Sequence, residues 1–228
     1  DHIAEHVEPW TYLSFPYLRA VGWKGFQTGA DSGIYCATPL ARLNVSDGMT
    51  TPLAHAAYEK LYAYFGGFQK NGKALPIHHR FATHWARLIE LLYAAERMRE
   101  LAEDEVLFSS DIRTQPAKVL RRFGVGSVEA PRGTLIHQYE VDPRGLITNV
   151  TILTGTANNH AAMAMSVKRA AERYISRGSV IDRELLNRIE MALRLYDPCL
   201  ACATHSDSNA VRVVVRDTEK QVVREFTQ

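Results

Sequence analysis

The sequence predicts a mainly α-helical protein with small β-hairpins, in the α+β class. Four stretches, the clearest over residues 79–103, place apolar residues at the spacing of an amphipathic helix. Two pairs of short segments alternate apolar and polar residues around turn-forming residues, which is typical of hairpins. The 228 residues suit one large domain or two small ones, and 46% apolar with 23% charged residues is an ordinary globular composition.

The first quarter of the chain is predicted to end in a helix. Prolines and glycines interrupt residues 1–50, which should therefore form turns and short extended segments. Thr51 followed by Pro52 resembles an N-cap with proline at the first helical position. This helix should run to about Phe65 and stop at Gly66, because paired glycines end helices.

The second predicted helix covers residues 79–103. Its charged side chains, Glu90 and Glu96 among them, fall largely outside the apolar stripe and are interpreted as a solvated or interface surface. A polar connection with room for a short helix follows over residues 109–122. The apolar stripe consists of Trp85, Leu88, Ile89, Leu92 and Leu101.

The second half of the chain is predicted to contain two hairpins and two helices. Proline, aspartate and glycine at 142–145 form the turn of the first hairpin. Asp182 is a suitable N-cap for the second helix. The predicted strands are residues 134–141 with 146–153 and 211–216 with 221–226, and the helices are residues 158–173 and 182–196.

The charge and cysteine content exclude several classes of protein. A net charge of +2 is too balanced to favour nucleic acid, and no apolar run is long enough to span a membrane. Three cysteines are too few for a disulfide framework, which favours a reducing, cytoplasmic compartment. Cys36 is interpreted as a small buried residue, and most of the nine histidines as surface or satisfied core residues. Because the chain starts at Asp1, it is expected to be the middle of a longer protein.

The most informative segment is residues 197–205, Asp-Pro-Cys-Leu-Ala-Cys-Ala-Thr-His. Cys199, Cys202 and His205 follow i, i+3, i+6 spacing, so a helical turn would bring them near one face. Paired thiolates suit nickel, iron or zinc, and Asp197 could orient a neighbouring cation. Half a zinc site, a dithiol redox pair and two buried cysteines are the alternatives at this point.

Two further segments place polar groups on defined turns. In residues 129–133, Glu-Ala-Pro-Arg-Gly, Pro131 fixes the backbone that carries Arg132, whose guanidinium suits an anionic or diatomic ligand on a metal. A structural salt bridge between Arg132 and Glu129 is the alternative. In residues 154–159, hydroxyls and amides precede a predicted helix, which favours an anion site or ordinary N-capping.

Taken together, these segments resemble the large subunit of [NiFe]-hydrogenases. The matching runs are DPCLACATH, EAPRGTLIHQYEVDPRGLITNVTILTGTANN, YLSFPYL and, at residues 38–44, TPLARLN. The resemblance covers nearly the whole chain up to His205 and is nearest to the soluble branch linked to NAD(P) or deazaflavin. It implies a helical bundle of the hydrogenase large-subunit type with small β-hairpins.

The resemblance implies a nickel–iron centre with CO and CN ligands. Cys199 would be a terminal thiolate on nickel and a first proton acceptor, and Cys202 would bridge nickel and iron. Arg132, set by Pro131 and held by Asp197, would lie over the open metal position where hydrogen binds.

Further roles follow from the same resemblance. Arg132 and Thr156 would donate hydrogen bonds to the cyanide ligands, and His205 with the backbone carbonyl of Ile152 would help to hold Mg²⁺. The implied reaction is the reversible oxidation of H2 to two protons and two electrons. The implied partners are an iron–sulfur small subunit, further electron-transfer subunits, a nickel chaperone and a maturation protease.

The sequence departs from the family pattern at both ends. The family has a second Cys-x-x-Cys near its N terminus, so this chain holds two of four thiolates and is expected to be inactive alone. Residues 1–205 are interpreted as the C-terminal part of a large subunit, and residues 206–228 as an extension cut off after His205 during maturation. The rival interpretations are a non-catalytic subunit of the respiratory-complex type and a zinc-binding structural module.

Overall fold

The computed structural model describes residues 2–113, 115, 121–204 and 212–227. Within them, helices account for 39% and strands for 22% of the residues. The long predicted helices are present, but the strand content is higher than a mainly α-helical chain with two hairpins would have. The chain divides into two compact units, Cys36–Gly155 and the combination of Asp1–Tyr35 with Thr156–Gln228.

The unit Cys36–Gly155 contains the helices α1 (Pro39–Val45), α2 (Pro52–Phe65) and α3 (Ala82–Ala102). Helix α1 was not predicted, because proline and glycine around it mask a helix of only seven residues. The apolar faces of these helices enclose one hydrophobic core whose members all lie within this unit. The buried core residues are Leu40, Leu43, Ala54, Tyr58, Leu61, Tyr62, Ala74, Ile77, Ala82, Ala86 and Ile89.

Glu96 of α3, predicted to belong to a solvated or interface surface, caps the neighbouring helix α2. Its carboxylate accepts hydrogen bonds from the Thr51 hydroxyl at 2.7 Å and from the N–H groups of Leu53 and Ala54 at 3.0 and 2.9 Å. The Thr51 side chain itself makes no capping bond. Helix α2 therefore starts where the sequence predicts, but a side chain from another helix satisfies its first N–H groups.

A three-stranded antiparallel sheet in the order β3, β4, β5 follows in the same unit. The hairpin of β4 (Gly133–Val141) and β5 (Ile147–Leu153) was predicted, but β3 (Phe123–Ala130) was not. Two glycines break the alternation of β3, which is why its pattern was not recognised. The tight turn at Pro131 and Arg132 joins β3 to β4.

The other unit combines helices with two separate hairpins. Both predicted helices are found, and the Asp182 carboxylate caps the second by accepting the N–H of Leu185 at 2.9 Å. The predicted C-terminal hairpin is also present. The elements are β1 (Ile3–Val7), β2 (Ser14–Leu18), α4 (His160–Tyr174), α5 (Arg183–Arg194), α6 (Leu200–Thr204), β6 (Arg212–Arg216) and β7 (Val222–Thr227).

Two predictions fall on segments that are partly or wholly outside the described residues. Residues 109–113 contain no helix, and residues 116–120, where a short helix was also possible, are not among those described. His205 and the residues that follow it up to 211 are outside the description as well. None of the described helices has the length and apolar character needed to cross a bilayer.

Candidate metal centre

The cysteine motif begins at a buried anchor at the end of α5. Leu195 and Tyr196 are 5% and 3% exposed. The Tyr196 hydroxyl donates to the carbonyl oxygen of Ala162 at 3.1 Å and lies 2.8 Å from the hydroxyl of Ser166, both in α4. Because a buried hydroxyl needs hydrogen-bond partners and finds them here in α4, Tyr196 fixes the C-terminal end of α5 against α4.

Asp197 turns the chain between this anchor and the cysteines. Its φ is 48°, in the left-handed region that aspartate tolerates better than most residues. Its N–H donates to the carbonyl oxygen of Arg194 at 3.0 Å, and Pro198 then prevents the helix from continuing. The Asp-Pro pair therefore ends α5 sharply and directs the chain toward Cys199.

Cys199 and Cys202 lie next to each other at the start of α6. The N–H of Cys199 donates to Oγ1 of Thr156 at 3.2 Å, and Thr156 is only 4% exposed. Cys199 is half-buried and Cys202 is exposed. Their sulfur atoms form a disulfide, with the two Cα atoms 5.4 Å apart. Thr156 makes no side-chain cap for the helical turn after it, so the N-capping interpretation is wrong for this residue.

The sulfur pair fits one side of a soft-metal site. Two electrons and two protons convert the disulfide to two thiols, whose thiolates are ligands for nickel, iron or zinc. Among the described residues, no three His, Cys, Asp or Glu side chains group closely enough to hold a metal ion. The described part of the chain therefore offers two sulfur ligands, and the remaining coordination must come from other groups.

In the other unit, Arg42 of α1 holds the turn that carries Arg132. The Arg42 guanidinium donates to the carbonyl oxygen of Pro131 at 3.3 Å and to that of Gly133 at 3.5 Å. It also forms a two-pronged ion pair with Glu90 of α3, at 2.7 Å from Nε and 2.6 Å from Nη2. Two helices thus fix the backbone on both sides of Arg132.

Gly133 occupies a position where no side chain fits. A Cβ there would collide with the carbonyl group of Gly155 and would lie 3.1 Å from the carbonyl oxygen of Ala37. Glycine allows a close approach here, and the approaching group is the backbone just after β5. This contact fixes the start of β4 beside the end of β5.

The sequence-predicted site residues are distributed over both units. Arg132 is half-buried, and Ile152 lies on β5 with 43% of its surface exposed. His205 is outside the described residues. One unit contains Thr156, Asp197, Cys199 and Cys202, and the other contains Pro131, Arg132 and Ile152.

Sequence reasoning missed the pair of Arg42 and Glu90. They are 48 positions apart, and no local pattern connects them, so only the packing of α1 against α3 reveals the pair. Cys36, predicted to be buried, is half-buried, and its sulfur accepts a hydrogen bond from Nη1 of Arg80 at 3.2 Å. His160 is a satisfied core histidine, one of the two kinds, surface or satisfied core, expected for most histidines of this chain.

The adjacent sulfur atoms of Cys199 and Cys202, with the N–H of Cys199 bound to a buried threonine hydroxyl, are of the type that ligates soft metals once reduced. The family model described as nickel-dependent hydrogenase matches residues 39–205, a range that includes Arg132, Thr156 and both motif cysteines. The chain belongs to the nickel-dependent hydrogenase family.

The relatives are hydrogenase subunits. The chain is 42% identical over 226 residues to an iron-sulfur subunit of the F420-non-reducing hydrogenase of Archaeoglobus profundus, and the match covers 98% of this chain and 45% of the relative. It is 41% identical over 207 residues to the NAD-reducing hydrogenase HoxS subunit beta of Cupriavidus necator, with 90% and 40% covered.

A solved structure supports the same fold. The H2-reduced NAD+-reducing [NiFe]-hydrogenase matches with a TM-score of 0.75 and 39% identity, over 90% of this chain and 42% of that chain. The described fold is therefore of the hydrogenase large-subunit type. The chain spans less than half the length of the relatives that it matches.

Proposed function

We propose that this chain is the C-terminal part of a [NiFe]-hydrogenase large subunit, in which it supplies Cys199 and Cys202 to the nickel–iron centre. The observation that carries the proposal is the adjacent sulfur pair of Cys199 and Cys202, beside a backbone N–H of Cys199 that donates to the hydroxyl of Thr156, within a chain of the nickel-dependent hydrogenase family. The reaction of the complete enzyme is the reversible conversion of H2 to two protons and two electrons.

Each predicted residue has a distinct role in this proposal. Cys199 would hold nickel as a terminal thiolate and would take up the first proton, and the thiolate of Cys202 would hold both nickel and iron. Arg132 provides a positive charge at a fixed place, because Arg42 binds the carbonyl groups of Pro131 and Gly133 on both sides of it. Asp197 orients that charge, and Pro131 restricts its backbone.

The remaining roles concern ligands and a second metal. Arg132 and Thr156 would donate hydrogen bonds to the cyanide ligands of an iron that also carries CO. His205 and the backbone carbonyl of Ile152 would help to hold Mg²⁺, a hard cation that prefers oxygen ligands and water. The nickel–iron centre itself supplies the site at which H2 is split.

The complete enzyme requires partners in this proposal. Iron–sulfur clusters on a small subunit would accept the electrons, and further electron-transfer subunits would pass them to NAD(P) or a similar carrier in the cytoplasm. The relative named NAD-reducing hydrogenase supports this choice of acceptor. A nickel chaperone loads the centre, and a protease then cuts between His205 and Ser206.

The proposal divides the chain into residues 1–205, which belong to the mature subunit, and residues 206–228, which are removed. The chain alone is inactive because it contains two of the four thiolates.

Metal analysis of the complete complex, purified anaerobically under reducing conditions, tests the proposal. We expect nickel and iron in equal amounts at the site and infrared bands of CO and CN. Cys199→Ser should abolish nickel binding and H2 uptake, whereas Cys36→Ser should leave both unchanged. Zinc alone, no transition metal, or full H2 uptake by the Cys199→Ser complex would contradict the proposal.

A further inference from the structure

The helical turn directly before α4 carries the threonine that binds Cys199, and this turn is almost completely buried. We call residues 156–160 the asparagine turn. All of its residues are at most 7% exposed, and Asn158 and Asn159 are only 2% and 1% exposed. Because a buried amide side chain needs hydrogen-bond partners, the partners of Asn158 determine where the asparagine turn lies.

One partner of Asn158 comes from the first part of the chain. The hydroxyl of Tyr35 donates to Oδ1 of Asn158 at 2.6 Å, across 123 positions of sequence. Burial, with a smaller contribution from the charge of Glu5, raises the pKa of Tyr35, so this hydroxyl keeps its proton and can donate it. Tyr35 and Asn158 belong to the same compact unit, in which this bond joins two distant segments.

The backbone that leads to Tyr35 is itself held in place. The carbonyl oxygen of Gly33 accepts the N–H of Leu18, the last residue of β2, at 2.8 Å. Gly33 has a φ of 74°, and a Cβ at this position would collide with the carbonyl oxygen of Gly22, so the close approach requires glycine. The hydroxyl of Tyr35 is therefore presented from a segment that is fixed to β2.

The first residue of the asparagine turn contacts the metal motif. Oγ1 of Thr156 accepts the N–H of Cys199 at 3.2 Å, and the carbonyl oxygen of Thr156 accepts the N–H of Asn159 at 3.0 Å. A path of hydrogen bonds thus runs from Tyr35 through the turn to the backbone of Cys199. Because a hydrogen bond weakens steeply when its geometry is lost, a displaced turn would release the N–H of Cys199.

We propose that Tyr35 is a positioning residue for the metal centre. Its hydroxyl, through Asn158, holds the asparagine turn at the place where Thr156 binds the backbone of Cys199. Tyr35 therefore fixes the direction of a thiolate ligand from a segment more than 160 positions away in the chain. The identity of the metal rests on the proposed function, whereas the path from Tyr35 to Cys199 does not depend on it.

A pair of substitutions, made singly and together in the reduced, metal-free chain of 228 residues, tests this path. Tyr35→Phe removes one hydroxyl, and the contact of His160 with Ser14 still holds the turn, so the circular dichroism spectrum should stay unchanged. Hydrogen–deuterium exchange at the amide of Cys199 should become about tenfold faster, as expected for the loss of one hydrogen bond. In a chain that already carries Thr156→Val, Tyr35→Phe should accelerate this exchange by less than about twofold.

The matched control is Tyr12→Phe, which removes a hydroxyl from a tyrosine that is 73% exposed. This control should leave the exchange at Cys199 unchanged. If Tyr35 contributed only to general stability, its substitution would accelerate exchange equally with and without Thr156→Val, because independent effects add. Such equal acceleration, or unchanged exchange in Tyr35→Phe, would overturn the inference.

Infrared spectroscopy of the complete complex provides the second test. The Tyr35→Phe complex should retain nickel and iron but show shifted CN bands, since Thr156 would donate to a cyanide ligand, whereas Tyr12→Phe should leave the bands in place. CN bands at the wild-type positions in Tyr35→Phe would refute the positioning role while the metal content upholds the proposed function. Zinc alone in the wild-type complex would refute the proposed function, and the exchange at Cys199 would still decide whether Tyr35 holds this segment.

Discussion

At the scale of single residues, two side chains from different parts of the sequence position the candidate site. The hydroxyl of Thr156 binds the backbone N–H of Cys199, 43 positions away. Arg42, fixed by Glu90, binds the carbonyl groups on both sides of Arg132. In both cases a side chain satisfies a main-chain group of the segment that carries the chemistry, so the segment is held without using its own side chains.

Replacing Thr156 by valine removes the acceptor for the N–H of Cys199. We expect a loss of about 1–2 kcal/mol in the free energy of unfolding, because a part-buried N–H loses its partner. Hydrogen–deuterium exchange over residues 196–204 should become faster. Thr156→Ser keeps the hydroxyl and should behave nearly like the wild type. Unchanged exchange in Thr156→Val would show that this hydrogen bond does not hold the segment.

Replacing Arg42 by lysine keeps the positive charge but removes the planar guanidinium, which donates from two nitrogens to the Glu90 carboxylate. We expect a loss of about 1–3 kcal/mol in unfolding free energy and faster exchange at Arg132. The control is Arg188→Lys, since Arg188 pairs with Glu184 on an exposed helix surface, where such pairs contribute less than about 1 kcal/mol. Equal effects of the two substitutions would refute the positioning role of Arg42.

At the scale of elements, the first residues of two helices form hydrogen bonds with groups from other elements. Glu96 of α3 caps α2, and the imidazole Nδ1 of His160, the first residue of α4, lies 2.8 Å from the carbonyl oxygen of Ser14 in β2. Because a carbonyl oxygen can only accept, this nitrogen carries the proton. Each contact joins two elements and makes the stability of both depend on the protonation of one group.

The contacts of Glu96 make the stability of α2 depend on pH. Desolvation acts to raise the pKa of Glu96, but hydrogen bonds from Thr51, Leu53 and Ala54 outweigh it, so the pKa is lowered. A carboxyl group with a lowered pKa stabilises the fold above its unfolded pKa, and this stability is lost as the pH falls through the folded value. Urea unfolding from pH 7 to pH 3 should therefore show a decline that Glu96→Gln reduces. An identical decline in the variant would exclude Glu96 as the cause.

His160 gives a pH dependence in a higher range. Burial lowers its pKa, although the hydrogen bond to Ser14 and the charge of Glu5 oppose the shift. The folded state therefore favours the neutral ring, and its stability is full above the unfolded pKa of about 6.5 and falls as the pH decreases below it. We expect lower unfolding temperatures at pH 5.5 than at pH 7.5. His160→Gln should flatten this difference, whereas the exposed control His2→Gln should not.

At the scale of the whole molecule, the two units differ in how the sequence builds them. The unit Cys36–Gly155 is one continuous segment that contains its own hydrophobic core. The other unit needs both ends of the chain, since β2 and α4 belong to segments about 140 positions apart. A segment that buries a hydrophobic core of its own is able, in principle, to fold without the rest of the chain.

The fragment of residues 36–155 should fold when expressed alone. We expect a helical circular dichroism spectrum and cooperative unfolding. Within it, Leu61→Ala should cost about 2–5 kcal/mol, because Leu61 is fully buried, whereas Leu53→Ala on the exposed side of the same helix should cost much less. A fragment without cooperative unfolding would show that this unit depends on the rest of the chain.

The sequence by itself determined the elements with strong local signals and the family. Helical periodicity located α2 to α5, the turn residues located two hairpins, and the spacing of Cys199 and Cys202 identified the motif. These features are local, because they depend on residues within a few positions of one another.

Only the tertiary structure decided which groups hold these elements in place. The strand β3, the cap of α2 by Glu96, the pairing of Arg42 with Glu90 and the bond from Thr156 to Cys199 were all unpredicted. The three contacts join residues that are far apart in the chain. The strand β3 contains two glycines, which interrupt the alternation of apolar and polar side chains by which a strand is recognised. Periodicity and spacing report which residues are near each other in sequence, while these contacts arise from the folding of distant segments onto one another.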